Sequence, residues 1–160
     1  MRIALLDTYY PRFLAAHYAA NPALADANYI DQRQSLLARV FGTSDFYSRH
    51  LCAMGHDAHD LIVNCVPLQK TWAQNSGVAY NSLALHLPRR AARLPLVGSW
   101  FSALPGLVQI AVEQIKAMRP DVLYCQDLWF LSPQQLLELR PYARLIVGQI
   151  ASPLPPGPYL

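Results

Sequence analysis

The chain has 160 residues, the size of a single domain, and 53% of them are apolar while only 14% are charged. This composition excludes an intrinsically disordered protein, and the formal net charge of +3 is too small to indicate nucleic-acid binding. The basic residues are unevenly placed, because residues 61–112 contain Lys70, Arg89, Arg90 and Arg93 but no Asp or Glu. That window favours a phosphorylated ligand, an anionic surface or a solvated basic loop.

The cysteines and the N-terminus indicate the cellular compartment. Cys52, Cys65 and Cys125 lie in apolar surroundings without paired spacing, which predicts reduced thiols in the core of a cytoplasmic protein. The first apolar run ends at Asp7 and is too short for a secretion signal. No apolar run is long enough to span a membrane, so we expect a cytoplasmic protein.

The predicted elements begin with a strand at residues 2–6, which is broken by the polar and proline-containing residues that follow it. Residues 12–41 predict two helical pieces with an interruption between them. In the second piece Ile30, Leu37 and Phe41 recur at multiples of helical spacing and predict the buried face. The polar face is predicted to hold residues 31–34.

Residues 42–57, GTSDFYSRHLCAMGHD, read as a loop, a helix and a turn. Thr43 or Ser44 is expected to cap the helix N-terminus, and Asp45 is expected to complement the helix dipole from the first turn. Gly55 suits the position just after the helix C-terminus. Three residues at helical spacing predict its buried stripe: Tyr47, Leu51 and Met54.

The second half of the chain alternates in the same way. Ser132, Pro133 and Gln135 predict an N-cap, a first-turn proline and a capping box. The predicted elements are a strand at 58–64, helices at 67–77 and 106–118, a strand at 121–125, a helix after Ser132 and a buried strand at 143–148.

Continuous apolar strands that alternate with helices predict an α/β fold with a Rossmann-like, doubly wound parallel sheet of at least four strands over residues 1–150. The crossovers are expected to be right-handed. Residues 151–160 contain four prolines and follow the last strand without a covering helix. They predict a linker or a truncated continuation of the chain.

In an open parallel sheet, ligands bind beyond the carboxyl ends of the strands, near the point where the strand order reverses. The N-terminus of the helix after Gly42 should point at the same crevice. Polar groups without a run of charge suit a hydroxyl-rich ligand better than a metal ion. The residues expected there are Asp7, Thr8, Tyr9, Tyr10, Asn64, Gln126, Asp127, Gly148 and Gln149.

Each candidate residue has a structural alternative. Asp45 is either a general base or hydroxyl anchor, or only a first-turn acid that stabilises its helix. Asp7 and Asp127 each end a strand, where a carboxylate is either functional or caps the following turn. Tyr9 and Tyr10 either stack on a sugar ring or cover the edge of the core.

Several motif classes are absent from the sequence. There is no G-x-G-x-x-G, no G-x-x-x-x-G-K-[ST] and no G-x-S-x-G, so dinucleotide binding, a P-loop and a nucleophile elbow have no support. Residues 56–60, HDAHD, resemble a metal cluster, but they lie in a turn where the two histidines need not converge, so no metal is expected. Trp100 and Phe101, beside the arginines, either touch a membrane surface or are buried.

The order and spacing of these segments resemble the N-terminal domain of GT-B glycosyltransferases of the family-4-like type, including a CgeB-like bacterial group. The glycine loop at 41–47 and the "GH-x-V" entry to the second strand at 55–58 carry the resemblance. Residues 116–123 are similar to the family's "K-x-x-x-P-D-v-v" junction, and 148–151 match the subgroup. Two departures are the residues between the first strand and the glycine loop, which could shape an acceptor site or a lid, and the absent C-terminal domain.

The resemblance implies the acceptor side of a nucleotide-sugar-dependent glycosyltransferase of bacterial polysaccharide or glycoconjugate synthesis. The donor, a nucleotide-diphosphate sugar, would be held by a C-terminal GT-B domain without a metal, and the 160-residue chain alone is expected to be inactive. If the reaction inverts configuration, the base is Asp45, Asp7 or Asp127. The implied substrate-binding residues are Gly42, Thr43, Ser44, Tyr9, Tyr10, Gln126 and Gln149.

The expected partner is a sugar or glycoconjugate acceptor, with no nucleic acid. Residues 89–101 are a possible peripheral contact with the inner face of the membrane. The competing interpretation is a non-catalytic, Rossmann-like module that binds a ligand or another protein.

Overall fold

A computed structural model describes residues 1–80 and 105–150 of the chain. Strands β1 to β4 are Arg2–Asp7, Asp57–Ile62, Val122–Cys125 and Leu145–Gly148. Helices α1 to α6 are Pro11–Ala20, Tyr29–Leu37, Phe46–Ala53, Val66–Asn75, Pro105–Met118 and Pro133–Leu139, with a 3-10 helix at Pro22–Asp26.

The four strands form one parallel sheet in the order β2-β1-β3-β4, which confirms the predicted α/β, Rossmann-like architecture. Leu5 of β1 lies opposite Asp60 of β2 on one side and Tyr124 of β3 on the other. The chain therefore winds from β1 first to β2 and then back past β1 to β3. Because of this reversal, the switch point of the sheet lies between β1 and β3.

Side chains of β1 alternate between two covered faces of the sheet. Ile3 and Leu5 pack with Ala58 and with Leu51 of α3. Ala4 and Leu6 face the larger core on the other side, which also contains Leu61, Leu123 and the buried face of α5. The buried residues of α5 are Gly106, Leu107, Val108, Ile110, Ala111, Val112, Gln114 and Ile115.

Two predicted helix boundaries are confirmed. Ser132 caps α6, its hydroxyl accepting from the Gln135 N–H while its own N–H donates to Gln135 Oε1 at 2.7 Å. Gly55 has φ +84°, and the hydrogen bonds from its N–H and from the His56 N–H close the C-terminus of α3. A side chain in this left-handed region would be strained, so glycine suits the position.

The predicted cap of α3 by Thr43 or Ser44 is wrong. Asp45 occupies the N-cap position, and its side chain makes no capping hydrogen bond. The Ser44 hydroxyl instead donates to Leu37 O at 2.7 Å, and the Thr43 hydroxyl donates to Gln126, the residue after β3. Both hydroxyl groups thus form hydrogen bonds with groups outside the helix in place of capping its N-terminal N–H groups.

The predicted buried faces of α2 and α3 are also partly wrong. Tyr47 and Met54 are 39% and 71% exposed, because α3 turns Ser48 toward the sheet, where its hydroxyl donates to Asp60. Ile30 is 63% exposed, whereas Gln32 is fully buried. The Gln32 amide tolerates burial because it hydrogen-bonds with Tyr18 OH, Ala27 O and Thr71 Oγ1.

Two further predictions of burial need correction. β4 was expected to be buried, but it is an edge strand of the described sheet, and Leu145 is 51% exposed. Of the three free cysteines, Cys65 and Cys125 are buried as expected, and Cys52 is exposed.

Some predictions lie outside the described residues. These are the roles given to Arg89, Arg90, Arg93, Trp100 and Phe101, and the linker at 151–160. Within residues 1–80 and 105–150, no helix has the length and apolar character needed to cross a membrane.

Candidate functional site

The candidate site lies at the carboxyl ends of the strands, where the loops after β1 and β3 meet at the switch point. Thr8 connects the two loops, because its hydroxyl donates to Asp127 Oδ2 at 2.7 Å. Its backbone N–H donates to Asp7 Oδ1 at 2.8 Å. Asp127 also accepts, through Oδ1, from the Trp129 N–H at 2.9 Å. Two of the three predicted carboxylates are thus joined through one threonine.

Asp7 is the electrostatically unusual member of this group. Burial raises its pKa to about 6, and the nearby charges of Asp60 and Asp127 act in the same direction. The hydrogen bond from the Thr8 N–H opposes the rise without cancelling it. A carboxylate with such a pKa is about nine-tenths ionised at pH 7 and is a stronger base than an ordinary aspartate.

The loop between α2 and α3 forms a second wall of the site. The Thr43 hydroxyl donates to Gln126 Oε1 at 2.8 Å, which joins this loop to the end of β3. Val40, Gly42 and Ser44 all have positive φ values, of 51°, 60° and 47°. Non-glycine residues in this region are strained, and such strain often occurs at functional sites. Gly42 has no atom within 4 Å of where a Cβ would lie, so its backbone is open to close approach.

The two predicted tyrosines have opposite environments. Tyr9 is 2% exposed and packs against Phe13 and Phe41, so its ring covers the core and does not face a ligand. Tyr10 is 72% exposed, and its ring contacts the edge of Phe41. Ser44 is 3% exposed, which likewise removes it from direct ligand contact.

Asn64 fixes the loop after β1 to the end of β2. Its side-chain amide accepts from the Tyr9 N–H at 2.9 Å and donates to Tyr9 O at 2.7 Å. Both polar groups of the Tyr9 backbone are therefore held in place. This pairing positions Thr8 and Asp7, which precede Tyr9, against the end of β3.

Gln149 lies at the other side of the crevice, after β4. Its N–H donates to Cys125 O at 3.0 Å, and its side-chain oxygen accepts a hydrogen bond from the Tyr124 hydroxyl. The Tyr124 ring in turn meets the edge of Tyr47 at 5.8 Å between centroids. Gln149 therefore lies beside the end of β3, and its hydrogen bonds in the described part of the chain do not join it to Asp7, Thr8 or Asp127.

Asp45 stands apart from the other two predicted carboxylates. No hydrogen bond in the described part of the chain joins it to Asp7 or Asp127, and its charge acts on Asp60 instead. Asp60 is 3% exposed, and burial raises its pKa although Ser48 and Arg33 donate to it. Its Oδ2 accepts from Ser48 at 2.5 Å and from Arg33 Nη2 at 3.3 Å.

Sequence reasoning assigned no role to Thr8 as the bridge or to Asp60 as a buried acid. Thr8 could have been found as a hydroxyl directly after a strand-end carboxylate. Asp60 shares a strand face with Ala58 and Ile62, so alternation along the strand could have indicated its burial.

Within residues 1–80 and 105–150, no three His, Cys, Asp or Glu side chains converge to hold a metal ion. Asp57 and His59 do contact each other at 2.6 Å, on an exposed surface where Asp57 also pairs with Arg2. The crevice therefore offers hydroxyl, amide and carboxylate groups for binding and proton transfer.

Comparisons of the chain with protein-family models, with curated proteins and with solved structures gave no match.

Proposed function

We propose that this domain forms the acceptor side of a nucleotide-sugar-dependent glycosyltransferase of the GT-B type. The observation that carries the proposal is the Asp7, Thr8 and Asp127 group at the switch point of a parallel sheet, with Asp7 held at a pKa of about 6. Open α/β sheets bind ligands at this position, and an inverting glycosyl transfer to a hydroxyl needs a general base. The resemblance of the sequence to GT-B N-terminal domains agrees with this reading.

The proposed chemistry assigns different roles to the two carboxylates. Asp7, whose pKa is raised, accepts the proton of the acceptor hydroxyl as its oxygen attacks the anomeric carbon of the donor. The bond from that carbon to the nucleoside diphosphate breaks, and the diphosphate leaves with the electron pair. Both oxygens of Asp127 already accept hydrogen bonds from the protein, so Asp127 orients the site through Thr8.

Neighbouring groups would bind the acceptor's other hydroxyls. Thr43 and Gln126 present a hydroxyl and an amide on one side, and Gln149 presents an amide on the other. Tyr10 is exposed enough to contact a sugar ring. The donor, a nucleotide-diphosphate sugar, would be held by a second domain of the GT-B type, so transfer needs both halves.

The binding step can be tested on the 160-residue chain itself. Isotope-labelled protein is titrated with a panel of monosaccharides and disaccharides, and amide shifts are followed by NMR. We expect saturable shifts at Thr8, Thr43 and Gln126, and weaker binding for Gln126→Ala. Gln74→Ala is the matched control because Gln74 is an exposed glutamine on α4. Shifts that are absent for every sugar, or unchanged by Gln126→Ala, would refute an acceptor site here.

The catalytic step separates an enzyme from a binding module. One observation favours a non-catalytic binding module. The Thr8 hydroxyl already donates to Asp127, so this pair could serve only to fix the shape of the site. In a preparation that includes a donor-binding domain, transfer should rise with pH through about 6 and be lost in Asp7→Asn. Sugar binding with no transfer from any nucleotide sugar would support the module. Transfer by the 160-residue chain alone would contradict the division into two halves.

A further inference from the structure

A second cavity lies toward the amino ends of the strands, at the opposite end of the sheet from the candidate site. Arg2 and Asp57 line it from the starts of β1 and β2, and Met118 lines it from the end of α5. Helices α2 and α4 complete its walls, and its volume is about 660 Å³. Pockets that hold small molecules have volumes of about 300–1,000 Å³. The cavity is therefore large enough for such a ligand, and it shares no lining residue with the Asp7, Thr8 and Asp127 group.

Two buried oxygen atoms at this cavity have no hydrogen-bond partner in the described part of the chain. They are Gln114 Oε1 and Asp60 Oδ1, and each residue is only 3% exposed. Buried polar groups are nearly always hydrogen-bonded, because an unpaired one costs free energy. Since both residues line the cavity, a ligand that carries hydrogen-bond donors would complete their bonding.

Tyr29 places a donor beside the Gln114 acceptor. Gln114 Nε2 donates to the Tyr29 hydroxyl oxygen at 3.0 Å, which orients the amide and leaves the hydroxyl hydrogen to be donated elsewhere. Burial raises the pKa of Tyr29, so this hydroxyl stays protonated at neutral pH. Gln114 Oε1 and the Tyr29 hydroxyl thus offer an acceptor and a donor side by side. The edge of an aminopurine presents the complementary pair, an amino donor next to a ring-nitrogen acceptor.

Each of the two arginines of the cavity is paired with an aspartate, which favours an uncharged ligand. Arg2 Nε lies 2.8 Å from Asp57 Oδ2, and Arg33 Nη2 lies 3.3 Å from Asp60 Oδ2. An anion would compete with these carboxylates for the arginines, and the arginines would repel a cation. The apolar part of the lining includes one aromatic ring: Ile30, Leu61, Trp72, Ala117 and Met118. Such walls suit a flat, largely apolar ring that carries only a few polar groups.

We propose that this cavity binds an uncharged, amino-substituted purine base. The exocyclic amino group donates to Gln114 Oε1, and the adjacent ring nitrogen accepts from the Tyr29 hydroxyl. The ring packs against Trp72, and a ring N–H is the donor for Asp60 Oδ1. This site lies at the other end of the strands from the crevice and does not depend on the proposed transfer reaction.

The choice of base can be tested with adenine and purine, which differ only in the amino group. Each is titrated into the isotope-labelled 160-residue chain, and amide shifts are followed by NMR. We expect saturable shifts at Gln114 and Ser76, both of which line the cavity. Adenine should bind about tenfold more tightly, the effect of one hydrogen bond to a buried acceptor. Equal binding of the two bases, no binding of either, or shifts confined to Thr8 and Thr43 overturns the proposal.

Two variants test the contact itself. Gln114→Met removes the acceptor and keeps the side-chain length, so it should weaken adenine binding about tenfold and leave purine binding unchanged. Gln109→Met is the matched control and should keep the preference, because Gln109 is an exposed glutamine of the same helix outside the cavity. Ala117→Phe fills the cavity from an exposed position of α5, so it should abolish binding of both bases without changing the far-UV circular dichroism, and it decides the question if Gln114→Met does not fold. A preference for adenine that survives Gln114→Met, or binding that survives Ala117→Phe, overturns the proposal.

Discussion

Asp7→Asn should stabilise the protein at neutral pH and have little effect at pH 4. The pKa of Asp7 rises from its ordinary 3.8 to about 6 in the folded chain because the carboxyl is buried. The folded state therefore binds more protons than the unfolded state between these values. The free energy of unfolding consequently falls as the pH rises from about 4 to about 6, and then levels off.

The size of the effect follows from the same shift. A move from 3.8 to about 6 corresponds to about 3 kcal/mol of destabilisation when Asp7 is ionised. Because the side chain retains some access to solvent, we expect a gain of about 1–3 kcal/mol for Asp7→Asn above pH 7. The asparagine oxygen can still accept from the Thr8 N–H, so the loop should keep its geometry.

Urea unfolding of both proteins from pH 4 to pH 8 measures this difference, since the titration of acids that do not interact with Asp7 cancels between them. Asp26→Asn is the matched control, because Asp26 is an exposed aspartate outside the candidate site. A constant difference between wild type and Asp7→Asn across this range would refute the burial argument. A gain that grows between about pH 4 and pH 6 would show an acid kept in an unfavourable environment, which is typical of functional sites.

Three further substitutions test a buried ion pair, a helix cap and a strained glycine. Arg33→Met should lower the free energy of unfolding by about 3 kcal/mol, because it leaves the buried Asp60 without its ion-pair partner. The loss should be larger at pH 8 than at pH 5, since the unpaired Asp60 can bind a proton at low pH. Equal losses in urea unfolding at the two pH values would contradict a buried charge pair. Ser132→Ala should cost about 1 kcal/mol in the same assay, whereas Ser76→Ala, at an exposed serine, should not; no difference between them would argue against the cap. Gly55→Ala should cost about 1 kcal/mol through backbone strain alone, since the space around it is open, and a melting temperature equal to wild type would rule that strain out.

The sequence was sufficient to predict the order of elements and the class of the sheet. Apolar runs of strand length, separated by segments with helical periodicity, leave few arrangements other than a parallel α/β sheet. Local signals were reliable where one residue acts on its own neighbours, as with Ser132 at the start of α6 and Gly55 at the end of α3. The strand-end position of Asp7 and Asp127 was also readable, because carboxyl ends of parallel strands share one edge.

Long-range contacts could not be read in this way. The Thr8 hydroxyl meets a carboxylate 119 residues later in the chain, and Thr43 meets an amide 83 residues later. No local pattern specifies which hydroxyl caps a helix and which one crosses to another strand. The burial of Gln32 likewise depends on partners from three other segments of the chain.

The sequence by itself determined which residues could form strands, helices and turns, since those preferences arise from each residue and its immediate neighbours. The tertiary structure alone decided which faces were buried, which of three predicted carboxylates came together, and that the crevice perturbs Asp7. Burial and charge proximity depend on distances between segments far apart in sequence. A pKa near 6 therefore exists only once β1, β2 and β3 lie side by side.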